Sequence, residues 1–306
     1  MNRIIGFKGG RIFGNSSMFD RPKQLMFYTN WDTATDGNFT ASLTTSDAST
    51  VTWVMPDGTE IQNNSLNTSN SSLNGATNQI QIKDASKVVS LTLDSCKIVG
   101  ALDLSEITFN GAFNCRINPN LTSIAFSNAN TFTSFEVRQT GLAGTLDLTS
   151  GTFTGSLRAY ENSSLTSITF PTATQNIGDL NIRNNDLQGD IDLTMLNISG
   201  KFYGSTNPDI TSVSHSNNSH PTLYWLNSCN VDTINLGSVG LDNLSDFRMN
   251  NNNFDEVGAN SFFQQLDDNS TSTAATVNFT GNTSPTGGST NTNIVSIVAK
   301  GGTVLL

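Results

Sequence analysis

The chain has 306 residues and a formal net charge of −10, yet only 13% of its residues are charged, about half the usual share. Asn, Ser and Thr number 114, a composition of stacked β-coils and turns rather than of solvated helices. A pI near 4.5 argues against nucleic-acid binding, and no apolar run approaches the ~20 residues that span a membrane. The start lacks the ~7–15-residue apolar core of a signal peptide, and three cysteines cannot build a disulfide scaffold.

In chain order, residues 1–24 come first and are basic. Arg3, Lys8, Arg11, Arg21 and Lys23 stand against Asp20 alone, so this segment carries +4 and the remainder −14. Such a leader on an acidic body reads as an anchoring arm for an acidic partner; chance charge on a disordered terminus is the competing reading. Residues 25–77 contain two strand-like runs, Phe39–Leu43 and Val51–Met55, followed by a Pro56-Asp57-Gly58 turn. This segment reads as a small β-sandwich-like module or an elaborate N-terminal cap. Its Trp53-x-x-Pro56-Asp57-Gly58-Thr59 run resembles the Ig-like, PKD-type modules of bacterial surface proteins.

From residue 78 to 254 the chain repeats. Leu91-x-Leu93-x-x-Cys96-x-Ile98, Leu180-x-Ile182-x-x-Asn185-x-Leu187 and Phe247-x-Met249-x-x-Asn252-x-Phe254 align on one column. That column runs Cys96, Asn118, Thr140, Asn162, Asn185, Asn207, Cys229 and Asn252, in steps of 22, 22, 22, 23, 22, 22 and 23. The pattern resembles the leucine-rich repeat, L-x-x-L-x-L-x-x-N/C-x-L, in its bacterial and phage form. The resemblance implies a mainly β solenoid of about eight coils, with short strands on both faces. Physically, an Asn at this column satisfies backbone groups that lose their ladder partner where the chain leaves the strand.

The coils are of two kinds. One continues with Gly and Leu-Asp-Leu (Gly100, Gly144, Gly189), the other with Leu/Ile-Thr-Ser-Ile/Val (Leu121, Leu165, Ile210). Both alternate in and out, predicting a second strand per coil. Phe109, Phe132 and Phe153 recur late in successive coils and predict an aromatic spine. Residues 255–306 read as a cap with near-helical spacing over Asp255–Leu266, a strand at Val277–Phe279, a short helix over Asn293–Lys300 and a final strand.

Chemistry is sparse. The three cysteines read as buried core residues, and Cys96 and Cys229 lie six coils apart, too far to pair. His215 takes the place of Phe126 and Phe170 and is expected at a coil edge; no metal site, cofactor or catalytic set is expected. Asp103, Asp147 and Asp192 predict a solvent-facing column. Counting back from the repeat column, the positions four and two before it face outward on the predicted concave sheet. They gather Arg116, Arg138, Arg158, Tyr160, Arg183, Tyr203, Trp225 and Arg248, which include five of the eight arginines in the chain.

Exposed Arg, Tyr and Trp dominate binding hot spots, and Arg offers bidentate bonds to carboxylate or phosphate. The competing reading is that these arginines simply pair with Glu136, Glu161 and Asp179. The expectation is therefore a non-enzymatic phage virion protein that displays its solenoid for adhesion. Its arm would hold other virion proteins, and its concave face a host-surface acidic glycan or protein, with no membrane insertion and oligomers compatible. A secreted or cell-surface bacterial adhesin is the alternative, and a polysaccharide-degrading enzyme with Glu136 and Asp179 as its acids stands behind both.

Overall fold

The computed structural model describes residues 24–127 and 129–306; Arg3, Lys8, Arg11, Arg21 and Lys23 lie outside the described residues. The described chain is mainly β and winds into a solenoid of about 7 turns, with coils of about 22 residues. The eight positions of the repeat column delimit seven full turns.

One strand from every coil joins a continuous 12-stranded front sheet. From Val88–Thr92 to Thr303–Leu305 its neighbours are all parallel. The inward residues Leu91, Phe113, Phe135, Leu157, Leu180, Phe202, Tyr224 and Phe247 are completely buried. At ~25 cal/mol per Å² of apolar surface, this column and its neighbours supply the main drive for stacking coil on coil.

The repeat column staples the coils. Asn162 accepts the Thr140 N–H at 3.0 Å and donates to Val137 O at 3.2 Å. Asn118, Asn185, Asn207 and Asn252 do the same work on the coils before them. Cys96 and Cys229 occupy the slot as donors only, to Thr40 O and Gly204 O. Asn282 extends the column into the cap, accepting from Asn252 N at 3.1 Å.

The residue just before each ladder position is left-handed although none is glycine. Ser95, Ile117, Gln139, Glu161, Asn184, Thr206, Ser228 and Asn251 have φ between 52° and 59°, a conformation costing roughly 1–2 kcal/mol each. Each directs its N–H to a carbonyl on the next coil, as Ser95 does to Arg116 O at 2.7 Å and Asn251 to Thr280 O at 2.8 Å. The bond offsets part of the strain and carries the front ladder one residue past the strand.

The two kinds of coil are halves of one device. Gly100, Gly144 and Gly189 have φ of 74°, 70° and 68° and pair with Leu121, Leu165 and Ile210, where the register shifts. Thr122, Thr166 and Thr211 are the extra, bulged residues, and Thr166 Oγ1 donates back to Gly144 O. This flank sheet is in three pieces, pairing Val99–Leu104 with Asn120–Phe126, Ala143–Asp147 with Ser164–Thr169, and Gln188–Leu193 with Asp209–His215 and Thr233–Asn235, with each bulge inside a piece. The expected Phe spine is present, with Phe109, Phe132 and Phe153 centroids 5.6 and 5.3 Å apart.

Both ends are covered. Strand Phe39–Thr45 pairs antiparallel with Val88–Thr92 and Ser65–Thr68, so part of the N-terminal module extends the front sheet. Its other sheet orders Leu25–Thr29, Asn78–Lys83, Thr52–Val54 and Glu60–Gln62, with Phe27, Trp53, Ile80 and Ile82 buried. At the far end helix Glu256–Asp268 starts at Asp255, whose carboxylate accepts Gly258 N at 2.7 Å. It buries Phe262 against Phe279, and helix Thr292–Ala299 and strand Thr303–Leu305 follow.

Candidate functional site: the front face

All eight predicted face residues lie on one surface, because alternate residues of parallel, in-register strands point the same way. Glu136 aligns with Arg158, Arg138 with Tyr160, Tyr203 with Trp225, and Trp225 with Arg248. Their side chains are half-buried, the five arginines retaining 26% to 43% exposure.

Every one of these arginines has a carboxylate beside it. Arg116 grips Asp94 through Nε and Nη2 at 2.9 and 2.5 Å, which raises the guanidinium above its usual value. Arg138 Nε lies 3.1 Å from Glu136, although its angle there makes no hydrogen bond. Arg158 sits 3.1 Å from Asp179 and 4.0 Å from Glu136. Arg183 is 3.7 Å from Glu161, and Arg248 is 2.8 Å from Asp246. Five arginines meet five carboxylates, so the pairing foreseen as the competing reading exists and the face has little net charge. Because Arg158 reaches both Glu136 and Asp179, a guanidinium bridges the two carboxylates considered as a hydrolytic pair.

Pairing with acids leaves the aromatics still to be accounted for. Arg248 lies 4.0 Å over the Trp225 ring, while Trp225 Nε1 donates to Asp246 at 3.0 Å. Tyr203 meets Trp225 edge-on at 5.0 Å. Arg183 faces both Tyr160 and Tyr203 at 5.3 and 5.9 Å, and Arg138 faces Tyr160 at 5.7 Å. Burial and the neighbouring Glu136 push the Tyr160 phenol up. The result is a track of planar groups held in place from Arg138 to Arg248.

Asp246 was not singled out from sequence. Extending the outward parity one step, to six residues before the repeat column, finds both Asp179 and Asp246. A second buried polar ladder was also missed. Asn130 accepts Phe109 N, Gln175 accepts Phe153 N and Ser219 accepts Ile198 N. These three belong to every second coil, at offsets of 12 or 13 from the repeat column, and their differing residue types hide the period.

His215 is a correction. It lies in the core rather than at a coil edge, with Nε2 2.7 Å from the Tyr224 hydroxyl, because Tyr224 fills an inward position and its O–H needs a partner there. Burial lowers the His215 pKa to about 3 and raises the Tyr224 phenol. Cys96 and Cys115 are buried, Cys229 is only partly so, and all three are free thiols. Burial pushes all three thiols up, Cys229 to about 11. Asp103, Asp147 and Asp192 are exposed and each accepts the N–H two residues on at 2.9 Å. Among the described residues no cluster of three or more His, Cys, Asp or Glu side chains could hold a metal. No described helix is long and apolar enough to cross a membrane. No family model matches the chain, and no curated protein or solved structure matches it either.

Proposed function

We propose that this protein is a non-enzymatic adhesion subunit on the exterior of a phage virion, that its coils are leucine-rich repeats, and that its front face binds a host-surface glycan or protein. The Asn/Cys column and the L-x-L-x-x-N/C-x-L pattern support the repeat assignment; the Trp53-x-x-Pro56-Asp57-Gly58-Thr59 run supports a PKD-type character for the N-terminal module. The observation that carries the binding reading is the track from Tyr160 through Arg183 and Tyr203 to Trp225 and Arg248, half-exposed and held by cation–π and edge-to-face contacts. Rigid planar groups that lose little entropy on binding make efficient hot spots.

The ion pairs refine the ligand's chemistry. With each arginine beside a carboxylate, the face alternates fixed donors and acceptors. That suits a hydroxyl-rich glycan, whose sugars stack on Trp and Tyr, better than a uniformly anionic one. A basic arm for other virion proteins accords with the +4 charge of residues 1–24. A secreted or cell-surface bacterial adhesin would use the same face.

The test is binding of the fluorescently labelled full-length chain to a panel of intact bacteria, beside a Tyr203→Ala/Trp225→Ala variant. Binding by the wild type and its loss in the variant support adhesion through this face. Equal binding by both places any adhesion elsewhere.

A further inference from the structure

The flank sheet has a gap at Ser164–Thr169 and Gln188–Leu193. These strands belong to successive coils, yet each pairs only with its other neighbour. Their starts are tied by Asp186 N donating to Leu165 O at 3.1 Å. Beyond that point the strands part around a cleft of about 360 Å³. Its lining includes Ile168, Phe170 and Met195, together with Asp190 and Asp192.

The cleft combines two features that a bound strand would use. Both walls are strand edges without a ladder partner across the gap, and an extended segment laid between them gains main-chain hydrogen bonds. Asp190 and Asp192 are exposed and have no Lys or Arg partner among the described residues. From 99 to 200 the chain has no lysine, and its four arginines all sit on the front face. The acidity of the flank is therefore uncompensated, in contrast to the neutralised front.

The chain's own sequence contains the complement. Arg3-Ile4-Ile5-Gly6-Phe7-Lys8 and Arg11-Ile12-Phe13 set cations beside β-branched and aromatic residues, within a segment of net charge +4. We propose that residues 1–23 of a second copy of this chain occupy the cleft between Ser164–Thr169 and Gln188–Leu193, linking subunits by arm exchange. Cations of the arm meet Asp190 and Asp192, and its Ile or Phe side chains meet Phe170 and Met195. The inference rests on residues 1–23 acting as a docking arm and names their partner; it is independent of what the front face binds.

The experiment is sedimentation velocity of the full-length chain at 0.05 and 0.5 M NaCl. The expected result is concentration-dependent association at low salt that is lost at high salt. Asp190→Lys/Asp192→Lys and Arg3→Asp/Lys8→Asp/Arg11→Asp should each weaken it at least tenfold, and mixing the two variants should restore association between them. Met195→Lys probes the same cleft without disturbing the hydroxyl bonds of Asp190, and circular dichroism checks the fold of each variant. A monomeric wild type at low salt overturns the proposal, and arm-to-cleft crosslinks within that monomer would instead seat each arm on its own flank. Association unchanged by both cleft variants also overturns it. Neither result depends on Trp225 or on cell binding, so failure here and failure of the adhesion reading are distinguishable.

Discussion

His215 Nε2 lies 2.7 Å from the Tyr224 hydroxyl, and Tyr224 stacks on Phe247 with ring centroids 4.4 Å apart. This polar pair sits among apolar neighbours, Tyr224 in register between Phe202 and Phe247 and His215 in register with Leu193, and the imidazole Nδ1 has no hydrogen-bond partner. Burying a neutral histidine makes stability depend on pH. The folded pKa is lowered from 6.5 to about 3, so the unfolded chain binds the proton first as pH falls. Stability is full above the unfolded value and declines through the window from 6.5 to about 3, by at most about 1.4 kcal/mol per pH unit. Urea midpoints at pH 7.5 and pH 4.5 should differ more for the wild type than for His215→Phe/Tyr224→Phe. The double variant should be nearly neutral at pH 7.5, because both polar partners leave together.

Asn162→Ala should destabilise by about 1–3 kcal/mol for each buried group it orphans. The Thr140 N–H, the Thr140 hydroxyl and Val137 O are those groups. Chemical denaturation measures the loss, and hydrogen exchange at the Thr140 amide should accelerate before global unfolding. Asn162→Cys should lose the acceptor function but keep a donor, as Cys96 and Cys229 do, and fall between alanine and wild type.

Two glycines should fail for different reasons. A Cβ at Gly144 meets nothing within 4 Å, but its φ is +70°, so Gly144→Ala should cost about 1–2 kcal/mol through backbone strain alone. Gly144→Asn should recover part of that, since Asn tolerates the left-handed region. At Gly155 a Cβ would stand 1.9 Å from Thr133 O, so Gly155→Ala and Gly155→Asn should both be worse than their Gly144 counterparts. Thermal melts of the four variants check the ordering.

Phe132 touches Phe109, Phe126, Phe135 and Phe153, with centroids 5.3–5.6 Å away. Phe132→Ala should cost about 3–5 kcal/mol, visible as a lower denaturant midpoint.

What the sequence made legible follows its periods. The outward and inward columns and the Asn/Cys ladder repeat every 22 or 23 residues, so counting placed Arg138, Tyr203 and Trp225 on one face. The ion pairs were legible only as an alternative, because pairing depends on rotamers that spacing does not determine. His215 was misplaced because its partner, Tyr224, sits nine residues away in an inward column that otherwise holds Leu and Phe. The second polar ladder escaped because Asn130, Gln175 and Ser219 share a role but no residue type. The broken flank sheet was hidden in the alternation of Gly coils with Leu-Thr-Ser coils, which looked like two repeat types and is one bulge shared between neighbours.

For binding at the Tyr203–Trp225 track the chain supplies its own reporters. Its three tryptophans differ in setting. The Trp53 indole donates to Asn63 O in the N-terminal module, Trp31 donates to Gly37 O, and Trp225 donates to Asp246 on the front face. The measurement is the set of three indole N–H resonances in 15N-labelled full-length protein, titrated with polysaccharide purified from the cells that bind it. Binding through this track should give a saturable shift of the Trp225 resonance with Trp31 and Trp53 unmoved, and loss of that response in Tyr203→Ala. Saturable binding that leaves Trp225 unshifted, or that moves Trp31 or Trp53 instead, would contradict it.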